Sequence, residues 1–158
     1  MHIYLVQHGE AKPEEIDPER RLTQNCTRAV QKIADFLRKS GGGLKVDTIW
    51  HSGKPRAQQT AELLGPATRA GQGAVIQHDG LAPKDAVEPI RRELEQGNSN
   101  VMIVGHLPFL GRLAALLLTG NADNDVVAFQ FGCVVCLKRG DSGRWNLEWM
   151  MAPELFGG

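Results

Sequence analysis

The stretch that decides the reading of this chain is its start, Met1-His2-Ile3-Tyr4-Leu5-Val6-Gln7-His8-Gly9-Glu10. His2 to Gln7 is a short β-prone run and Gly9 ends it, so an ionisable ring stands where a strand gives way to a loop. The pattern recurs. "IVGHLP", from Ile103 to Pro108, again sets a histidine just past an apolar run, and "IWHSGKPR", from Ile49 to Arg56, ends another run with His51 and Ser52. In open α/β sheets, ligands sit beyond the carboxyl ends of the strands. His8, His51, Ser52 and His106 are therefore predicted to face one crevice.

The rest of the chain supplies the layers such a sheet needs. Thr23 suits a helix N-cap, and Ala29, Val30, Ile33, Ala34 and Leu37 recur behind it at helical spacing. That helix should stop at Gly41-Gly42-Gly43. Val46 to His51 reads as the second strand, and Ser52 can cap a helix with Pro55 in its first turn. Ala74 to His78 is a third strand candidate, Asp85 to Gln96 a polar helix, Asn100 to Val104 a buried strand. Pro108 starts an apolar helix to about Leu118. In the tail, "VVAFQF", "CVVCLKR" and "RWNLEWM" look like short strands joined by turns. The alternation predicts an α/β fold, a three-layer α/β/α sandwich with a mostly parallel sheet and an antiparallel edge or hairpin at the C-terminus.

Length and composition bound the function. The 158 residues suit a single domain, 1–158, with a real core. Eighteen Lys and Arg balance eighteen Asp and Glu, which argues against nucleic acid as a partner, since no dominant phosphate-backbone term is available. No apolar run approaches the roughly 18 residues of a membrane helix, and "MHIYLV" lacks the parts of a signal peptide. Three cysteines, an odd number, fit a reducing cytosol better than a disulfide framework, so a cytoplasmic protein is expected.

The predicted crevice has a chemistry. Arg56 lies one turn into the helix after the second strand, and helical side chains lean back toward the N-terminus, which aims its guanidinium at the same spot. His106 stands just before the Pro108 helix start, whose amides favour anions. Two imidazoles and a guanidinium suit phosphoryl transfer. A neutral imidazole can attack phosphorus and form a phosphohistidine that water then hydrolyses. The cation and second imidazole hold the equatorial oxygens.

"QHGEA", "RRLT", "HSGKPRAQQT" and "GHLP" together resemble the histidine phosphatase (phosphoglycerate mutase-like) superfamily, and most closely its short SixA-like phosphohistidine phosphatases. The resemblance runs in order from residue 2 to about 118. It implies His8 as nucleophile, with His106 and Arg56 as the other catalytic groups on the phosphate. Gln7, Gly9, Arg20 and His51 complete the phosphate-binding set. For His51 a pocket-lining and a plain structural reading both stand. Arg20 matches the arginine of the small branch's "R-P-L-T" motif, with Arg21 where its proline would be. Thr23 there is better explained as a cap. The implied activity is hydrolysis of phosphate from a histidine-phosphorylated signalling or phosphocarrier protein, with no metal or organic cofactor.

The chain departs from the family at Gln7, where an arginine is expected. Glutamine keeps amide donors but no charge, and charge-assisted hydrogen bonds are worth about 1.5–3 kcal/mol. Two alternatives follow: a phosphatase for another, small phosphoester, or a catalytically impaired phosphoprotein-binding member. The general acid is also unassigned, with Asp85, Glu88 and Glu10 as candidates. A phosphohistidine substrate relaxes that need, because its leaving imidazole has an unperturbed pKa of about 6.5.

Other features read as structural. A zinc site on His8, His51 and His106 lacks a paired-histidine spacing such as H-E-x-x-H, so no metal is expected. "GDSG", Gly140 to Gly143, reads as a hairpin turn and not a protease nucleophile. Cys133 and Cys136 read as core thiols, His2 and His78 as ordinary strand residues, Trp145 and Trp149 as packing residues.

Overall fold

A computed structural model describes residues 1–69 and 74–157. Its sheet has six strands: β1 (His2–Gln7), β2 (Thr48–His51), β3 (Val75–Gln77), β4 (Val101–Gly105), β5 (Val134–Arg139) and β6 (Trp145–Met151), in the order β3-β2-β4-β1-β5-β6. The first four run parallel; β5 is antiparallel to β1, and β6 to β5. The expected three-layer fold with an antiparallel C-terminal edge is what forms.

Period-two alternation divides each central strand between two cores. Ile3 and Leu5 of β1 pack with helices α3 (Glu88–Gln96) and α4 (Phe109–Thr119). Tyr4 and Val6 pack on the other face with α1 (Gln24–Lys39) and α2 (Pro55–Leu64). In α1 the buried residues are the five that helical spacing selected, and the Thr23 hydroxyl caps it by accepting from the Cys26 N–H. The three glycines after it all take positive φ, which ends the helix at little cost.

Four local readings need correction. Asp85 is not helical: α3 begins at Glu88, and the Asp85 carboxylate instead accepts from the Ala82 N–H in the preceding loop. Residues 126–131 form no strand. The β1 edge they approach is already paired with β5, and the chain here crosses the end of the sheet with Val127 buried. The N-cap of the helix after β2 is Lys54 and not Ser52, whose hydroxyl accepts from the Lys54 N–H at a long 3.4 Å. Helix α4 starts at Phe109, one residue later than expected.

Candidate active site

Strand register builds the site. Gln7 of β1 lies opposite Gly105 of β4, so the next residues, His8 and His106, leave adjacent parallel strands side by side. The His8 N–H donates to the Gly105 carbonyl at 3.0 Å, and the two rings lie 4.8 Å apart between centroids. Both imidazoles are buried. Neighbouring strand ends that diverge in sequence by about a hundred residues thus deliver one pair of rings.

The His8 tautomer is set by its own loop. Nδ1 lies 2.7 Å from the Gly9 carbonyl, which can only accept, so Nδ1 carries the proton and Nε2 keeps its lone pair. Burial lowers the His8 pKa below its ordinary value, the Gly9 bond opposes that, and the charges of Arg56 and Arg20 push it down further. His8 is therefore a neutral base with a directed lone pair at pH 7. Burial, then His8, Arg56 and Lys54, push His106 down to about 3. Its Nε2 lies 2.6 Å from the Ser52 hydroxyl.

The turn carrying His8 is tightly held. The Gly9 N–H donates to Thr60 Oγ1 at 3.0 Å, and that hydroxyl donates to the Arg56 carbonyl at 2.8 Å. The loop after β1 is thereby tied to the first turn of α2, where Arg56 sits. A Cβ on Gly9 would stand 2.5 Å from Cys26 Sγ and 3.0 Å from a Leu22 methyl, so no larger residue fits without movement. On the other side, the Gly132 N–H donates to the Gln7 carbonyl at 2.9 Å, and the half-exposed Phe131 ring lies 5.6 Å from His8.

Positive charge gathers around the rings: Arg56 acts on both, Arg20 on His8 and Lys54 on His106. Among the described residues the Arg56 guanidinium has no hydrogen bond or ion pair. It is partly desolvated, and burial and then Arg20 lower its pKa. Arg20 has φ of +51°, uncommon outside glycine, and its Nε donates to the Lys12 carbonyl at 3.2 Å. Arg21, in contrast, pairs with Asp17 and Glu19. That leaves Arg20 as the uncompensated cation of the two.

Gln7 is 7 % exposed, and its Oε1 is buried without a hydrogen-bond partner. His51 is buried too, but its Nδ1 accepts from the Gly53 N–H at 3.1 Å. Burial lowers its pKa and the Glu62 charge opposes the shift. None of the three candidate acids has a hydrogen bond or ion pair to His8 or His106 among the described residues. Asp85 holds its own loop, and Glu88 pairs with Arg91 at 3.0 Å. Glu10 is exposed two residues beyond His8.

Comparison with known proteins finds similar chains over nearly the whole length. No protein-family model matches the chain. The curated phosphohistidine phosphatase SixA of Escherichia coli K12 is 25 % identical over 158 residues, covering 97 % of this chain and 94 % of SixA. A solved structure of the protein histidine phosphatase SixA complexed with tungstate superposes with a TM-score of 0.83 at 23 % identity, covering 99 % of each chain. The chain shares the SixA fold and is similar to SixA over nearly its whole length. The fold is shared more widely: an α-ribazole-5′-P phosphatase from E. coli matches with a TM-score of 0.74 at 17 % identity, covering 97 % of this chain and 98 % of the other.

Within this site, sequence reasoning missed two residues, Thr60 and Phe131, and the partner of a third. Ser52 is expected in the crevice and as a helix cap, but its bond to His106 is not foreseen. Thr60 lies at the end of the quoted "HSGKPRAQQT", one turn after Arg56, which is the spacing that lets its hydroxyl reach the Arg56 carbonyl. Phe131 was placed in a strand, and nothing in its neighbourhood marks it as a wall of the crevice.

Proposed function

We propose that this chain is a phosphohistidine phosphatase that acts through a phospho-His8 intermediate. The observation that carries this reading is the unpaired, partly desolvated Arg56 guanidinium beside two neutral imidazoles, one with its Nε2 lone pair free. A tetrahedral oxyanion supplies the missing negative charge. The full-length likeness to SixA, named for phosphohistidine hydrolysis, points to the same substrate class.

In the first step, His8 Nε2 donates its lone pair to phosphorus. A P–N bond forms as the bond to the substrate imidazole breaks, and the departing imidazole takes a proton from water. In the second step, water attacks phosphorus, the P–N bond to His8 breaks, and inorganic phosphate leaves. Arg56, Arg20 and the Gln7 amide hold the equatorial oxygens, and Gly9 sits where a side chain would block the turn. His106 shares a hydrogen bond with the Ser52 hydroxyl in the free site. A bound dianion would raise its pKa and let it donate to the phosphate. We assign His51 to the turn after β2. No one of Asp85, Glu88 and Glu10 is assigned as acid, and the imidazole leaving group makes one less necessary.

Beside the rings stand two substantially exposed apolar side chains, Leu107 next to His106 and Phe131 beside His8. A groove of about 500 Å³ begins at Leu107 and Pro108 and runs past Gly111 to Phe129. These surfaces suit a phosphate displayed on a protein better than a small enclosed phosphoester. The partner would be a histidine-phosphorylated signalling or phosphocarrier protein. No helix among the described residues is long and apolar enough to cross a membrane. A cytoplasmic location and a single domain over 1–158 complete the reading.

The test is turnover of a ³²P-phosphohistidine protein by wild type and His8→Ala, with and without a chelator. Wild type should release phosphate and trap label on His8 after acid-free quenching, and His8→Ala should do neither. Phosphoprotein binding without label transfer in wild type would make the chain a binding module instead. Faster turnover of a sugar phosphate would move the substrate class.

A further inference from the structure

Three side chains that the phosphatase reading leaves idle meet at the opposite end of β1. His2 stands six residues before His8, roughly 20 Å away at the usual strand rise of about 3.3 Å. Its Nε2 lies 2.9 Å from Glu148 Oε2, and the Cys136 thiol lies 3.5 Å from that same oxygen. The imidazole nitrogen, the sulfur and the carboxylate oxygen all fall within 4.8 Å of one another. Each comes from a different strand: β1, β5 and β6.

Glu148 reaches this face through an irregularity in the sheet. Cys136 pairs with Trp149, yet the next residue, Leu137, pairs with Leu147, which leaves Glu148 as the extra residue of a β-bulge. Bulges re-aim side chains, often where a site is built. Cys136 is fully buried at the base, while His2 and Glu148 are partly open to solvent, so the group has both a fixed floor and an entrance. Tyr4 stacks on His2 and its ring also lies 6.0 Å from Trp149, which walls the group with aromatic surface.

We propose that His2 Nε2, Cys136 Sγ and Glu148 Oε2 form a zinc site that ties β1, β5 and β6 together. Sulfur with imidazole nitrogen selects zinc over magnesium or calcium, which prefer all-oxygen shells. Tetrahedral bonds of zinc to sulfur, nitrogen and oxygen separate the ligand atoms by roughly 3.3–3.7 Å. The sulfur–carboxylate distance already lies in that range, and the histidine–carboxylate pair needs to open by about half an ångström. On binding, the Cys136 S–H bond breaks and its proton goes to solvent as the S–Zn bond forms. The His2–Glu148 hydrogen bond gives way to two metal bonds, and one position remains for water. No electron transfer is involved. The site is a clamp on the antiparallel edge, separate from the imidazole pair.

The experiment uses the full-length chain without an affinity tag, stripped with chelator and titrated with Co²⁺. The expected result is a near-ultraviolet thiolate-to-cobalt band with strong tetrahedral visible bands, saturating at one cobalt per chain and erased by added Zn²⁺. The near-ultraviolet band should be lost in Cys136→Ser and kept in Cys133→Ser and Cys26→Ser. Zinc should raise the melting temperature of wild type but not of His2→Ala or Glu148→Gln, and His2→Ala should retain wild-type phosphatase activity. Absence of the band at excess cobalt, or its survival in Cys136→Ser, overturns the proposal. If Cys136→Ser does not fold, the two partly exposed positions decide: unchanged cobalt affinity in both His2→Ala and Glu148→Gln leaves only a hydrogen-bonded cluster.

Discussion

Replacing Gln7 with arginine tests the electrostatics of the site from both directions. In the free protein the Gln7 oxygen is buried and unpartnered, a condition that costs about 1–3 kcal/mol. An arginine has no acceptor to orphan, so that cost disappears. A new one replaces it, because the guanidinium would join the charges of Arg56 and Arg20. Two unit charges roughly 6–8 Å apart repel by about 2–3 kcal/mol at an effective dielectric near 20. The free variant should therefore melt below wild type. A bound phosphate reverses the sign and adds one charge-assisted hydrogen bond, about 1.5–3 kcal/mol, or roughly 10–150-fold in affinity. Thermal unfolding across a phosphate titration reads both effects, since stabilisation follows RT ln(1 + [L]/Kd). Turnover of a phosphohistidine protein should rise alongside. Unchanged phosphate affinity and turnover in Gln7→Arg, with Gln7→Met also matching wild type, would show that position 7 does not meet the anion.

Arg56→Gln should lower turnover by roughly 10²–10³ and raise the pKa of both His8 and His106, because the Arg56 charge depresses both. Histidine NMR titration that shows neither ring moving would refute this placement. The depressed pKa values also set a stability profile. The unfolded chain protonates these rings near pH 6.5 while the folded rings stay neutral, so stability should fall as pH drops below about 6.5 and keep falling toward about 3 for His106. Urea midpoints against pH should show a shallower acid slope in His106→Asn; an identical slope counts against it. Gly9→Ala should lose about 1–3 kcal/mol through overpacking against Cys26 and Leu22. Pairing it with Cys26→Ala should restore part of the loss, and no coupling between the two would contradict the steric account. Phe131→Ala should weaken hydrolysis of a phosphohistidine protein more than that of free phosphoramidate, and equal effects would mean the ring serves only packing.

The order of layers was legible because it rests on local pattern. The apolar positions of α1, the strand ending at Gln7 and the two histidine-bearing strand ends follow from periodicity, capping and turn chemistry. Three features depend on non-local structure and were not legible. The Ser52 hydroxyl sits where a cap is expected, but the N-cap of α2 falls at Lys54 and the short bond of Ser52 is to His106. Phe131 belongs to a β-prone run whose potential sheet partner is already occupied by β5, a non-local competition that sequence spacing does not record. The cluster at His2 depends on a register shift between β5 and β6 that places Glu148 on the face of Cys136. Alternation alone puts residue 148 and its neighbour Trp149 on opposite sides.

The pairing of β1 with β4 joins Ile3 to Val101, and its pairing with β5 joins His2 to Lys138. A ribosome therefore emits the proposed nucleophile well before the two strands that flank it. Until most of the polypeptide has emerged, His8 belongs to a strand with no sheet to sit in. Non-local closure of this kind is slow and leaves apolar edges waiting. Ability to take up phosphate on His8 would then report completion of the whole molecule, and nascent or truncated chains ending before β4 would be chemically silent.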